Sequence, residues 1–128
     1  MSTAESLEGA WVAKIDGKLF LMNFSGDAFE LVFQLPQGTS LSMGTFRVNQ
    51  AQRPAQIDLT LTDGIGKNGE RLRDRSAADV VRGIVERDGD ALRFFAPPPE
   101  LDGRPEVFPD AEPGFVGPNI YLVLKRAA

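Results

Sequence analysis

Three side chains of this sequence could carry acid–base chemistry: Asp58, Glu86 and Tyr121. The chain has no cysteine and no histidine, so it lacks a thiolate nucleophile, an imidazole base and the usual soft ligands of a metal. Catalysis would therefore depend on carboxylates, lysines, the single tyrosine or backbone dipoles. No metal site and no cofactor site is predicted from these residues.

The orientation of Asp58 decides what it can do. Residues 57–62 (IDLTLT) alternate between apolar and polar side chains, which indicates a strand with one buried face. If the polar face points outward, Asp58 is a surface residue that only contributes to the solubility of the protein. If it points into a closed cavity, loss of hydration raises the pKa of the carboxyl and makes it an acid or base. The apolar-in arrangement is favoured, because small soluble barrels follow it.

The elements that must position these residues are strands. Aromatic and aliphatic side chains recur every second residue through most of the chain, and Asp-Gly and Gly-Asp pairs separate the runs. We predict about eight strands in hairpin succession, with a loop at residues 36–40 and a strand from Leu41 that contains Gly44. A glycine inside a strand marks a bulge or a bend. The prolines of residues 97–118 predict an excursion that leaves the wall and folds across one barrel mouth.

The two ends of the chain suggest how the sheet closes. Gly9 and Trp11 open the first apolar run, and Arg126 ends the last one. If the ends meet, the glycine allows close approach of the backbone, the indole plugs one end, and the guanidinium stacks on it. The predicted fold is all-β: a single up-and-down antiparallel barrel spanning residues 1–128, with a flexible N-terminus at residues 1–6.

Length, composition and net charge limit the classes of binding partner that we expect. A chain of 128 residues with a net charge of −4 and a pI near 4.8 has no basic field to attract phosphate backbones or anionic lipid surfaces. We therefore expect neither nucleic acid nor a membrane as partner. The first residues have no signal-peptide pattern, and no apolar run is long enough to cross a bilayer, which makes a cytoplasmic location the expectation.

Seven short ranges carry a family resemblance: residues 44–48, 54–60, 63–67, 83–92, 95–98, 104–105 and 124–126. Through these residues much of the chain resembles an uncharacterised small-domain family known mostly from planctomycete genomes, which has no established activity. Phe94 stands where relatives often have a cysteine, and the insertion at residues 68–79 is longer than in the family. The opening Gly9-x-Trp11 and the arginine of the last strand are also similar to lipocalin-like barrels, a likeness that implies a calyx for small apolar ligands.

These observations support three functions. The first is binding of a small hydrophobic molecule in the lumen, although the same side chains can equally fill a small barrel as core. The second is a protein-interaction module that uses the loops at 64–79 and 97–118. The third is a cofactor-free enzyme that uses Asp58, Glu86 or Tyr121. The predicted lumen and ligand-binding residues are Phe20, Met22, Phe24, Phe29, Phe33, Phe46 and Tyr121.

Overall fold

The computed structural model describes residues 7–15, 17–35, 38–52, 54–65, 79–97, 103–117 and 119–127. These residues form nine strands and no helix. The strands are β1 (Gly9–Ile15), β2 (Lys18–Ser25), β3 (Ala28–Leu35), β4 (Gly38–Asn49), β5 (Ala55–Ile65), β6 (Asp79–Asp88), β7 (Ala91–Ala96), β8 (Gly114–Val116) and β9 (Asn119–Arg126).

The strands close into an eight-stranded antiparallel barrel. Strands β1 to β7 pair in chain order, β7 pairs with β9, and β9 returns to β1. The three-residue β8 adds to the edge of β9 and is not one of the eight wall strands. The predicted up-and-down barrel is confirmed, and its order is consistent with a lipocalin-like barrel.

Alternation along the strands explains why the wall has one apolar face. Residues directly opposite each other in neighbouring strands share a face, so the pairing of Trp11 with Met22, and of Met22 with Leu31, places all three side chains inside. Ile57 and Leu59 are fully buried, whereas Asp58 between them faces outward. The apolar-in arrangement of this strand is therefore correct.

Gly44 marks a bulge, as predicted. The pairing of β4 with β5 shifts register between Met43 and Gly44. A Cβ atom at residue 44 would lie 1.8 Å from the carbonyl oxygen of Thr60 and 3.1 Å from Cε1 of Phe29. Only a residue without a side chain allows β5 to approach this closely.

Strand β4 starts earlier than the sequence indicated. It begins at Gly38, and its first residues pair with β3 through Leu35↔Gly38 and Phe33↔Ser40. The loop predicted at residues 36–40 is therefore shorter, and Ser40 belongs to the barrel wall. This stretch is polar, so it lacks the alternation of apolar and polar side chains from which a strand is predicted. The strand forms there through backbone hydrogen bonds to β3.

The Pro-rich excursion does not take the predicted path across a mouth in its described part. Residues 103–113, named here the arm, lie against the outside of the barrel. There Phe108 packs on a second apolar cluster formed by Ile84, Phe95 and Tyr121. Residues 98–102 and 118 lie outside the described residues. The arm thus covers an apolar patch of the outer wall, and one outward residue each of β6, β7 and β9 is buried there: Ile84, Phe95 and Tyr121.

Candidate functional site

One end of the barrel is closed around Trp11. This side chain is fully buried, and its Nε1 donates a hydrogen bond of 2.9 Å to the carbonyl oxygen of Leu7. The guanidinium carbons of Arg87 and Arg126 lie 5.2 Å and 5.5 Å from the centre of the indole ring. We call this the Trp11 end; the turns between β2 and β3 and between β6 and β7 lie here.

Gly9 makes room for one of the two guanidinium groups. Its φ of 117° is in the region that favours glycine, and a Cβ there would lie 3.2 Å from Nη2 of Arg126. The same Nη2 donates a hydrogen bond of 3.3 Å to the carbonyl oxygen of Glu8. The Gly9-x-Trp11 motif and Arg126 thus meet in one packed unit that joins the two ends of the described chain.

The opposite end of the barrel, named here the Ser40 end, is less completely packed. Phe33 and Leu31 face the lumen and are half-buried, and they stand directly opposite Ser40 and Ser42 of β4. The two serines therefore share the inward face and are also half-buried. Other half-buried apolar residues that pack against the core from this side of the barrel are Ile15, Leu61, Val81 and Ile120.

The predicted lumen residues divide by burial. Phe20, Met22, Phe24 and Phe29 are at most 3% exposed and form the packed core. Phe33 is half-buried at the Ser40 end, where its ring contacts that of Phe20 edge to face at 4.8 Å. Phe46, also half-buried, makes a similar contact of 4.8 Å with Phe24, where β4 runs on beyond its pairing with β3.

Tyr121 lies outside the lumen. Its ring belongs to the cluster beneath the arm, with centroids 6.0 Å from Phe95 and 6.2 Å from Phe108. The guanidinium of Arg93 lies 4.1 Å from the centre of the Phe108 ring and also contacts Glu86. The hydrogen bond that Arg93 donates to Glu86 raises the pKa of Arg93, burial lowers this pKa, and the interaction with Tyr121 raises it further. Tyr121 thus helps to attach the arm to the wall.

The two carboxylates named in the sequence also lie on the outer wall. Asp58 pairs with Arg104 of the arm, and Glu86 pairs with Arg93 of β7. No charged or polar side chain is buried in the described part of the chain. The structure therefore brings neither Asp58 nor Glu86 into the lumen, and the buried carboxylate on which the catalytic hypothesis depends is not formed by either of them.

Arg104 holds the arm to two strands at once. Its Nη1 donates hydrogen bonds of 3.1 Å to the carbonyl oxygen of Ile57 and 2.9 Å to that of Gly83, and its Nη2 binds Asp58. Beside it lies an external cleft of about 270 Å³, lined mainly by Gln52, Gln56, Arg104 and Glu106. Sequence reasoning did not single out Arg104, because its three partners come from strands distant in the chain.

We expect Arg104→Met to loosen the arm. The substitution keeps much of the aliphatic stem but removes three hydrogen bonds, so the free energy of unfolding should fall by about 2 kcal/mol, and protease cleavage within residues 103–113 should become faster. Urea unfolding and limited proteolysis measure these effects. Arg82→Met is the matched control, because Arg82 is exposed and stands opposite Asp58 in the β5–β6 pair. Equal effects of both substitutions would contradict the role given to Arg104.

The fold and its two ends define a closed, eight-stranded, up-and-down β-barrel, packed around Trp11 at one end and lined by half-buried side chains at the Ser40 end. Comparison with known protein families, with curated proteins and with solved structures found no match. In the described ranges, no helix is long and apolar enough to span a bilayer. No group of three or more acidic side chains among these same residues is arranged to hold a metal ion.

Proposed function

We propose that this barrel binds a small hydrophobic molecule in the half of its lumen next to the Ser40 end. The observation that carries the proposal is the difference in burial along the inward face. The core side chains around Trp11 are fully buried, whereas Leu31 and Phe33, which lie on the inward face, are only half-buried. Ligand pockets are concave, mostly apolar and supplied with a few polar groups, and Ser40 and Ser42 are polar groups of this kind.

The sequence left open whether the lumen binds a ligand or is filled by its own side chains. In this proposal, each interpretation applies to a different half of the barrel. The Trp11 half is filled by its own aromatic side chains, as small barrels can be. The Ser40 half has inward side chains that a ligand would cover. A molecule bound there would gain about 25 cal/mol for each Å² of apolar surface that it removes from water.

Leu31→Trp should weaken ligand binding at least tenfold, because the larger side chain occupies the lumen between Met22 and Ser42. Binding is followed by the fluorescence of cis-parinaric acid and its alcohol, cis-parinaryl alcohol, both of which emit more strongly in apolar surroundings. Val32→Trp is the matched control, because Val32 is the next residue of β3 and faces outward. Failure of both probes to bind the wild-type protein, with native mass spectrometry showing no retained small molecule, would overturn the proposed function.

A protein-binding role is the second candidate, and one observation favours it. Val107 is 71% exposed and Phe115 is 68% exposed, the highest values for large hydrophobic side chains in the described part of the chain. Both belong to the predicted interaction segment 97–118, whereas residues 66–78 of the other predicted segment, 64–79, lie outside the described residues. If neither probe binds, Val107 and Phe115 become the residues to substitute in a search for a protein contact.

Membership of the planctomycete small-domain family and a cytoplasmic location stay predictions. The family would add no activity to the proposal, since none is established for it.

A further inference from the structure

Lys18 lies at the rim of the Ser40 end with its side chain on the inward face. It pairs with Ile15 across the β1–β2 hairpin, and it is two residues before Phe20, which points into the core. Its side chain is half-buried. In the described part of the chain, no ion pair or hydrogen bond uses its ammonium group.

Ser40 and Ser42 add hydroxyl groups to the same region. They stand on the inward face of β4, opposite Phe33 and Leu31, and no hydrogen bond within the described part of the chain uses either hydroxyl. Polar groups in a largely apolar wall need a partner, supplied by water or by a ligand. One ammonium and two hydroxyl donors thus face the lumen from β2 and β4.

The other side of the rim is apolar. Phe115 of β8 pairs with Ile120 of β9, so the two side chains lie on the same face, and Ile120 packs against the barrel core. Phe115 is exposed although it faces this side. The rim therefore has a polar side, formed by β2 and β4, and an apolar side, formed by β8 and β9. A ligand with a polar end and an apolar body has only one favourable orientation in such a rim.

We propose, on the basis of the lumen function above, that the ligand is an apolar molecule with a carboxylate head. The apolar body lies against Leu31 and Phe33, and the carboxylate lies towards the rim, where Lys18 and the hydroxyl of Ser40 donate hydrogen bonds to it; the hydroxyl of Ser42 lies two residues deeper, opposite Leu31. A carboxylate only accepts hydrogen bonds, and all three groups can donate them. The reverse orientation would bury the anion against the packed side chains of the Trp11 half, at a large cost in hydration.

The charge of Lys18 makes the carboxylate a better head than a neutral hydroxyl. An alcohol oxygen can accept a hydrogen bond from the ammonium but carries no opposite charge, whereas a carboxylate adds the attraction of an ion pair, and its hydrogen bonds with the serine hydroxyls are also strengthened by its charge. Because the rim is open to solvent, we expect a moderate effect: the acid should bind about tenfold more tightly than the alcohol of the same chain.

The test compares cis-parinaric acid with cis-parinaryl alcohol, which differ only in the head group. Lys18→Gln should weaken binding of the acid about fivefold to tenfold and leave the alcohol unchanged. Lys14→Gln is the matched control, because it removes the same charge from the same hairpin at an exposed position on the outer face. Lys18→Arg should restore acid binding. Ser40→Ala combined with Ser42→Ala should weaken both probes about threefold, since both heads use the hydroxyls.

Three results would overturn the carboxylate proposal. The first is equal affinity of the wild-type protein for acid and alcohol, and the second is an equal loss of acid binding with Lys14→Gln and Lys18→Gln. The third is a loss of alcohol binding with Lys18→Gln, provided that this variant unfolds in urea like the wild type. In each case a probe still binds, so the lumen function stands and only the assigned head group is wrong. If neither probe binds the wild-type protein, the lumen function itself fails.

Discussion

Gly44→Ala should lower the free energy of unfolding by about 3–5 kcal/mol. Together with Trp11→Ala, it is one of the two substitutions from which we expect the largest effects. The new Cβ would overlap the carbonyl oxygen of Thr60, at 1.8 Å, and the carbonyl carbon, at 2.9 Å. Both atoms belong to the backbone of β5, which pairs with β4 on one side and with β6 on the other. Relief of the overlap would therefore distort two strand pairs.

Urea unfolding followed by far-ultraviolet circular dichroism measures this loss. Ser42→Ala is the control, because Ser42 lies two residues away on the same strand and the same face, and this substitution removes an atom instead of adding one. We expect Ser42→Ala to change stability by less than about 0.5 kcal/mol. A Gly44→Ala protein as stable as the Ser42→Ala protein would show that β5 does not approach β4 at the bulge.

Trp11→Ala should cost about 3–5 kcal/mol, which is typical of removing a large buried aromatic side chain. The substitution leaves a cavity in the core and removes Nε1, which donates a hydrogen bond to the carbonyl oxygen of Leu7. The guanidinium groups of Arg87 and Arg126 also lose the ring that they face. Trp11→Phe should cost less, about 1–2 kcal/mol, because a ring remains but the donor does not.

Unfolding of these variants is followed by circular dichroism, because Trp11 is the only tryptophan and its replacement removes the tryptophan fluorescence signal. Val12→Ala is the control, since Val12 is half-buried and faces the outside of the same strand. Equal costs for Trp11→Ala and Val12→Ala would contradict the role of the indole in closing this end. Trp11→Phe should also leave the affinity for cis-parinaric acid unchanged, because the Ser40 end binds the probe.

The features that the sequence predicted correctly are those set by local physics. Alternation with a period of two identified the strands and placed Ile57 and Leu59 inside and Asp58 outside. The bulge at Gly44 was predictable because a glycine within an alternating strand usually marks a bulge or a close approach of two backbones.

The features that the sequence missed depend on contacts distant in the chain. Strand β9 is apolar on both faces, so its pattern does not say which face is inside, and Tyr121 was predicted to line the lumen although it lies beneath the arm. The path of the arm over β6, β7 and β9 follows from Arg104 and Phe108, which show no periodicity among the prolines. Lys18 and Ser40 were missed because Lys18 is the first and Ser40 the third residue of its strand, where nearby turn residues conceal the alternation.

The short seam between β1 and β9 affects the order in which the barrel can form. Most neighbouring wall strands are joined by hairpins, whose contacts are close in sequence and form at a small loss of chain entropy. The seam has only two paired positions, Trp11↔Arg126 and Val12↔Lys125, and an added hydrogen bond from the Ala127 amide to the Ala10 carbonyl. It joins the two ends of the described chain, so its loop-closure entropy is the largest in the fold. Ring closure therefore depends on the hairpins having formed first, and the packing around Trp11 supplies the free energy that makes this last, long-range step favourable.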